Sequence, residues 1–484
     1  MSTSAKVTAR QRIENLLDDN SFVEIGAYVK ARNTDFNIQA KDTPSDGVIT
    51  GYGVINGGLV YVYSQDASVL GGSVGEMHAK KIASLYDMAM KTGSPVIGLI
   101  DSTGLRLQES VDGLNAFGQI YMKQSLASGV IPTVTAIFGN CGGGLSIVAG
   151  LSDFTFMEVE NAQLFVNSPN AITENRKEIC DNASAKFQSE EAGNVDFVGT
   201  EAEVIEGIRN LVSVLPSNNE DEASDLECYD DLNRAAEGIE NCGEDTLLAL
   251  ENISDDGFII EAKRNYAPEM VTAFIKLNGA TVGAVANRTK VYDDDMNVAA
   301  EFDAKLTAKG CNKAAEFVNF CDAFEIPVLT LTNVKGFEAT VDSEKKIAKA
   351  AAKLTYAFAN ATVPKVNVII GEAYGSAYVA MNSKAVGADM TYAWPSASIG
   401  MMDAASAAKI MYADEIDKAE DVNAKISEKA AEYAQLQSSV ESAAARSYVD
   451  TIINPEETRQ YVAAAFEMLY TKREDRPVKK HGTV

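Results

Sequence analysis

The chain alternates short apolar runs with amphipathic stretches. Residues 47–55 and 59–64 flank Asn56-Gly57-Gly58, a turn dipeptide with an added glycine, and predict a strand pair. Residues 78–91 put Ile82, Leu85, Met88 and Ala89 at i, i+3, i+6 and i+7, which predicts an amphipathic helix. Residues 96–100 and 134–138 are short apolar runs, as expected of strands buried on both faces. No residue from Gln124 to Ser152 is charged. Length alone would suit a membrane helix. Pro132, Asn140 and Gly142-Gly143-Gly144 instead divide the stretch into strand, glycine loop and helix, buried in protein. Alternating strands and helices predict an α/β fold.

The pattern occurs twice. Residues 94–104 (SPVIGLIDSTG) align with 326–336 (IPVLTLTNVKG), and 131–144 (IPTVTAIFGNCGGG) with 363–376 (VPKVNVIIGEAYGS). Pro95/Pro327, Gly104/Gly336, Pro132/Pro364, Gly139/Gly371 and Gly143/Gly375 all keep an offset of 232, as do Asp101 and Asn333. The turn at residues 18–24 recurs at 255–261, and Asn56-Gly57 recurs as Asn278-Gly279. Two copies of one fold are therefore expected, 1–226 and 227–484, with a seam in the acidic stretch 216–231.

Charge and composition narrow the chemistry. Lys and Arg total 42 against 69 Asp and Glu, a net −27, which excludes nucleic-acid binding through a general basic field. With 46% apolar residues the chain is globular rather than a disordered acidic one. The histidines are His78 and His481, too few and too far apart for a His-rich metal site or a Ser-His-Asp triad, and no metal is expected. The six cysteines form no C-x-x-C pair. The polar first twelve residues lack a signal-peptide core, so a cytoplasmic location without membrane insertion is expected.

Each copy has a Gly-rich turn between a buried strand and an apolar helix: residues 139–144 and 371–376. Such a turn lets a substrate oxygen approach the backbone, and the free N–H groups at the helix start favour an oxyanion. An oxyanion hole contributes ~3–4 kcal/mol to a barrier. The competing reading is that these glycines only permit tight strand–helix packing. No G-x-x-x-x-G-K-[ST] loop is present. Two such holes with almost no histidine suggest that a substrate or cofactor supplies the base.

These residues resemble the biotin-dependent acyl-CoA carboxyltransferases, the β-subunit type of propionyl-CoA or acetyl-CoA carboxylase. The resemblance covers nearly the whole chain. It rests on residues 8–12 with 16–18 and 21–24, 60–66 (VYVYSQD), 71–75 with His78, 101–109 (DSTGLRLQE), 128–132 (SGVIP), 153–157 (DFTFM), 320–327 (FCDAFEIP), 356–364 (YAFANATVP), 373–378 (AYGSAY), 388–395 (ADMTYAWP), and Arg476-Pro477 with Lys480-His481.

The resemblance implies an α/β fold of two tandem crotonase-like domains, each a ββα spiral. It implies carboxyl transfer between carboxybiotin and the α-carbon of a short-chain acyl-CoA. Gly143 and Gly144 match the amide pair that holds the biotin ureido oxygen, and Gly375, Ser376 and Ala377 cover the pair for the thioester oxygen. Ser102, Gly104, Tyr374 and His78 are expected to contact substrate, and Val379 to line the acyl pocket. Biotin is carried on a separate biotin carboxyl carrier protein, and a separate biotin carboxylase is implied. The family's site forms between the N-terminal domain of one subunit and the C-terminal domain of another, in a homohexamer built as a trimer of dimers. One rival reading is the α-type subunit of a sodium-pumping acyl-CoA decarboxylase, with a membrane decarboxylase subunit as partner. The other is a non-catalytic structural paralogue.

The chain departs from the family pattern in several places. Thr103 and Leu105 replace smaller residues of S-G-G-A-R, and Ser376 replaces the second glycine of A-Y-G-G-A-Y. Lys335, the lysine-rich segment 344–353 and Met402-Asp403 are also unlike the usual sequence. Segment 173–192 lacks the usual glycines. Ala89-Met90-Lys91 resembles a biotinylation core but falls inside a helical pattern, Asp293-Asp294-Asp295 reads as a solvated turn, and Trp394 as a core or interface anchor.

Overall fold

The computed structural model describes residues 7–34, 36, 42–176, 179–221, 228–293 and 295–476. The chain forms two compact units, Met1–Ser224 and Asp225–Val484. The expected boundary at 226/227, Asp294, Pro477, Lys480 and His481 lie outside the described residues.

In the first unit helix α1 (Ala9–Leu16) precedes strands β1 (Val23–Ile25), β2 (Val48–Ile55) and β3 (Gly58–Gln65). Helix α2 (Glu76–Thr92), β4 (Val96–Ser102), α3 (Ser110–Ala127), β5 (Thr133–Gly142) and α4 (Gly144–Gly150) follow. The unit ends with β6 (Phe154–Glu158), β7 (Gln163–Phe165), β8 (Phe197–Gly199) and α5 (Glu201–Val214). The sheet order is β1-β2-β3-β4-β5-β6-β8, with β7 also on β5. The first three strands are antiparallel, and the remainder join in parallel. Asn56 and Gly57 alone make the β2–β3 turn, both at positive φ, so Gly58 already belongs to a strand.

The second unit repeats this plan. Helix α6 (Thr246–Ile253) precedes β9 (Ile259–Ala262), β10 (Met270–Leu277) and β11 (Ala280–Asn287). Small strands β12 (Lys290–Tyr292), β13 (Val298–Glu301) and β14 (Lys305–Leu306) lead to α7 (Ala308–Ala323), β15 (Val328–Val334) and β16 (Gly336–Phe337). Then come α8 (Val341–Glu344), α9 (Ile347–Asn360), β17 (Lys365–Tyr374), α10 (Gly375–Ala380), β18 (Met390–Ala393) and β19 (Ser398–Gly400). Helices α11 (Ala404–Met411), α12 (Ala413–Ile416), α13 (Val422–Tyr433) and α14 (Val440–Ala445), strand β20 (Thr451–Ile452) and α15 (Thr458–Leu469) complete it. The sheet runs β9-β10-β11-β15-β17-β18-β20, with β19 on β17.

The repeat extends to single hydrogen bonds. Arg209 on α5 donates to the Leu16 carbonyl at 2.6 Å and to Asp18 at 2.8 Å; Arg459 on α15 donates to the Ile253 carbonyl at 2.6 Å and to Asp255 at 2.7 Å. Asp18 and Asp255 in turn accept the Gly57 and Gly279 amides. Lys81 and Lys313, 232 apart, are buried on α2 and α7, and each donates to loop carbonyls, Ser45 at 3.1 Å and Tyr266 at 2.9 Å. Burial lowers both ammonium groups, to about 8 and about 7. Trp394 is in the second core and donates Nε1–H to Thr458 at 3.0 Å. Asp293 accepts the Asp295 and Asn297 amides, as a turn aspartate does. Ala89-Met90-Lys91 lies within α2. No helix among the described residues is long and apolar enough to cross a membrane.

The start of α2 is unusual. Its cap residue, Gly75, has no side chain to offer the first-turn amides. Two buried carboxylates from elsewhere do so: Glu109 accepts the Glu76 N–H at 2.6 Å and Asp46 the His78 N–H at 2.8 Å. Arg106, 1% exposed, neutralises both, at 2.6 Å from Asp46 and 2.8 Å from Glu109, and donates to the Ser73 carbonyl at 2.7 Å. His78 completes the cluster. Its Nδ1 lies 2.9 Å from the Asp46 carbonyl and its Nε2 3.1 Å from Gln65 Nε2, the pattern of a neutral ring protonated on Nδ1. Burial, reinforced by Arg106, holds its pKa down at about 3.

Two outcomes follow from this cluster. Arg106→Met leaves two carboxylates buried without their cation and lowers the unfolding free energy by about 3–5 kcal/mol in urea titration. The unfolded chain protonates His78 below pH about 6.5, whereas the folded chain does so only near 3. This group's stabilisation is complete above about 6.5 and is lost as pH falls through that window. Between pH 7 and 5 the wild type therefore loses about 2 kcal/mol more than His78→Asn. Equal losses would assign acid sensitivity to other groups.

Candidate active site

Both Gly-rich turns stand where a buried central strand becomes a short helix. Strand β5 ends at Gly142; Gly143 turns the chain at φ +62°, and α4 starts at Gly144. Strand β17 ends at Tyr374, and Gly375 turns at φ +64° into α10. These positive values explain the glycines at both places. A register irregularity lies just upstream of each turn, between Ile100 and Ser102 in one copy and Thr332 and Val334 in the other. The residues passed over are Asp101 and Asn333. Their side chains press on Gly139 and Gly371, where an added Cβ would lie 2.1 and 2.7 Å from the side-chain oxygen. Hence the sequence pairs Asp101/Asn333 and Gly139/Gly371 recur together.

At the first turn the Gly143 N–H already donates to the Phe165 carbonyl at 2.9 Å, as part of the β5–β7 pairing. Of the expected donors Gly143 and Gly144, Gly143 therefore has its N–H already engaged within the fold. The first-turn amides of Gly144 and Leu145 have no intrahelical acceptor. Leu145, second residue of α4, is the 232 counterpart of Ala377. A Cβ built on Gly143 meets nothing within 4 Å, so the turn faces open space. Tyr121 donates to the Gly144 carbonyl at 2.6 Å and Ser146 to the Gly143 carbonyl at 2.7 Å, which fixes the peptide planes.

The second turn borders a pocket of about 470 Å³. Gly375, Ser376 and Ala377 form one wall, residues 335–337 a second, and 401–403 a third. The first-turn amides of Ser376 and Ala377 need no side-chain glycine, so the Ser376 replacement keeps the donor. Tyr374 also lines the pocket, its hydroxyl donating to Ser398 at 2.9 Å, and burial pushes the phenol pKa up. Lys335 pairs with Glu372 at 2.9 Å. Asp403 accepts the Ser406 N–H at 2.9 Å and caps α11, and these bonds hold its carboxyl below the usual range. Lys335, Met402, Asp403 and Ser376, departures scattered along the sequence, therefore meet at one pocket.

Other expected substrate contacts go elsewhere. Ser102 is buried; its hydroxyl donates to the Gly72 carbonyl at 2.7 Å and accepts the Gly104 N–H at 3.0 Å, leaving it no proton for a ligand. Gly104, at φ +92°, shapes the same loop. His78 is fully buried in the α2 cap, which rules out a ligand contact in this conformation. Val379 is 39% exposed on α10, so core packing does not explain it. The segment rich in lysine forms α8 and α9, with Lys345 and Lys346 beside Asp342 at 3.4 Å.

Comparison with known proteins shows the family. The carboxyl transferase domain family matches residues 2–484. The chain is 40% identical over 493 residues to the methylmalonyl-CoA decarboxylase subunit alpha of Propionigenium modestum, covering 99% of this chain and 93% of that protein. It is 38% identical over 491 residues to the propionyl-CoA carboxylase beta chain of Roseobacter denitrificans, covering 99% and 94%. Among solved structures, transcarboxylase 12S, described as a hexamer with methylmalonyl-CoA and methylmalonic acid bound, superposes with a TM-score of 0.91 at 39% identity, over 98% of this chain and 91% of that one. With a family match across residues 2–484 and the mixed α/β crotonase-type fold, this chain belongs to the carboxyl transferase domain family.

Proposed function

We propose that the chain is the carboxyltransferase subunit of a biotin-dependent acyl-CoA carboxylase, acting on a short-chain acyl-CoA. The class of enzyme follows from family membership; the assignment of residues is the present reading. The observation that carries it is the pocket at Gly375, where two first-turn amides border a cavity of about 470 Å³.

Ser376 and Ala377 hold the thioester oxygen there. Their N–H groups are fixed before substrate arrives, so the charge that develops on that oxygen is met without reorganisation. Gly144 and Leu145 hold the ureido oxygen of biotin, and the open space over Gly143 accommodates a bicyclic ring. Bound biotin, borne by a separate carrier protein, supplies both the carboxylate and the base. The protein then needs no catalytic histidine, in keeping with the burial of His78 in a structural cluster. Val379, exposed on α10, meets the acyl chain and favours an apolar one. The two sequence copies act as two domains of each subunit in a homohexamer, an assembly supported by the hexameric relative. Biotin carboxylase and the carrier are the partners, in the cytoplasm.

A second reading is kept because the Propionigenium relative, at 40% identity, is a decarboxylase subunit. The same donors serve the reverse transfer, from a carboxylated acyl-CoA to biotin, with a membrane decarboxylase subunit as partner. A purely structural paralogue is disfavoured by the intact second hole.

The test is carboxyl transfer with free biotin across acetyl-, propionyl-, butyryl-, malonyl- and methylmalonyl-CoA. Ser376→Pro removes one donor at a position where the first helical turn tolerates proline. It lowers the rate ~10²–10³-fold with little change in melting temperature. A variant that melts early yet keeps its rate per folded molecule would return the turn to a packing role.

A further inference from the structure

Among the described residues lining the Gly375 pocket, Lys335 carries positive charge and Glu372 and Asp403 carry negative charge. These three are not equivalent. Asp403 is committed to capping α11. Lys335 and Glu372 hold each other at 2.9 Å, but their side chains are 53% and 37% exposed, and an ion pair this wet opens easily. Their backbones are fixed: the Lys335 N–H donates to the Ala304 carbonyl at 2.6 Å and the Glu372 N–H to Asn333 Oδ1 at 3.1 Å. Only the side chains need to move. Lysine suits that motion, being a compact charge on a flexible stem.

The amides of Ser376 and Ala377 answer the thioester oxygen, but they do not answer a carboxylate on the neighbouring carbon. We infer that Lys335 binds the α-carboxylate of a carboxylated acyl-CoA, exchanging Glu372 for it. This rests on the reading of the pocket as the thioester site. Glu372 is then an internal competitor. It occupies the lysine when an uncarboxylated ester is bound and eases release of the carboxylated one. The exchange involves no covalent step, and one carboxylate replaces another on the same ammonium. The pair thus sets the balance between carboxylated and uncarboxylated ester, a quantity that differs between a carboxylase and a decarboxylase.

Calorimetric titration of the full chain, without biotin, tests this with methylmalonyl-CoA and propionyl-CoA. The ratio of the two Kd values, carboxylated over uncarboxylated, rises about five- to tenfold in Lys335→Met, as expected for one partly exposed charge-assisted bond. In Glu372→Gln the ratio falls, because the lysine is released. A ratio that stays constant in both variants, or moves the same way in both, overturns the inference. So does a constant ratio accompanied by a raised KM for biotin in the transfer assay, which would put the lysine on the cofactor's carboxylate. Failure of the wild type to bind either ester would instead remove the proposed function itself, and this inference with it. Melting curves of both variants accompany the titrations, and the opposite signs expected of the two distinguish charge exchange from general damage.

Discussion

The reversal of the chain at a glycine of positive φ, between a buried strand and a short helix, is the constraint on which both sites depend. At Gly143 and Gly375 the backbone passes from a strand whose amides are largely paired to a helix whose first amides have no intrahelical acceptor. No L-residue adopts that conformation cheaply. The upstream irregularity makes the turn possible, because Asp101 and Asn333 leave the ladder and lie against Gly139 and Gly371. A glycine four residues before each turn is thus as necessary as the glycine in it. The two act as one device, which accounts for the unbroken offset between copies.

Around that device the copies solve the same problems with different chemistry. The loops facing α2 and α7 leave carbonyls pointing inward, and both copies meet them with a buried lysine. Both tie the first helix to the last with an arginine, Arg209 or Arg459. At the start of the first large helix they differ. Unit two uses its own Thr307 as cap on α7. Unit one has Gly75 there and imports Asp46 and Glu109, which then require Arg106. Burial pushes the Asp46 carboxyl up even beside that guanidinium, so desolvation outweighs the pairing there. Removing the side chain at position 75 leaves the loop ahead of α2 free to approach, and a Cβ there would collide with Glu109 and Arg106 at 2.3 and 2.5 Å.

Period and punctuation made the fold legible in the sequence. The alternating pattern, the Asn-Gly hairpins and the constant spacing of prolines and glycines gave the strand–helix order of both units, because those signals are local. Which first-turn amide the fold leaves unpaired was not legible. Which amide is free depends on whether β7 pairs with Gly143, and a partner 22 residues away leaves no mark at Gly143 itself. Ser102 and His78 were expected to contact substrate only through the family resemblance. Whether a polar side chain there faces substrate or the loop's own carbonyls is decided by the third dimension. Lys335 and Asp403 read as isolated departures, and only folding brings them to the same cavity.

The net charge of −27 is less of an obstacle than it looks for an anionic CoA ester. Exposed charges separated by more than ~8–10 Å are largely screened at physiological ionic strength, so an ester phosphate responds to its neighbours rather than to the sum. Nearby charges are distributed unevenly. Helix α9 carries Lys349 and Lys353 and no acidic residue, while some of the acid is held internally, as with Asp46, Glu109, Asp255 and Asp403, each of which accepts hydrogen bonds from the chain's own amides or arginines. Acid used to hold loops and helix starts contributes to the total without presenting a field at the pocket mouth. A count of charges therefore overstates the repulsion, and the balance at the site is set by side chains within one screening length of it, of which Lys335 and Glu372 are a nearly neutral pair.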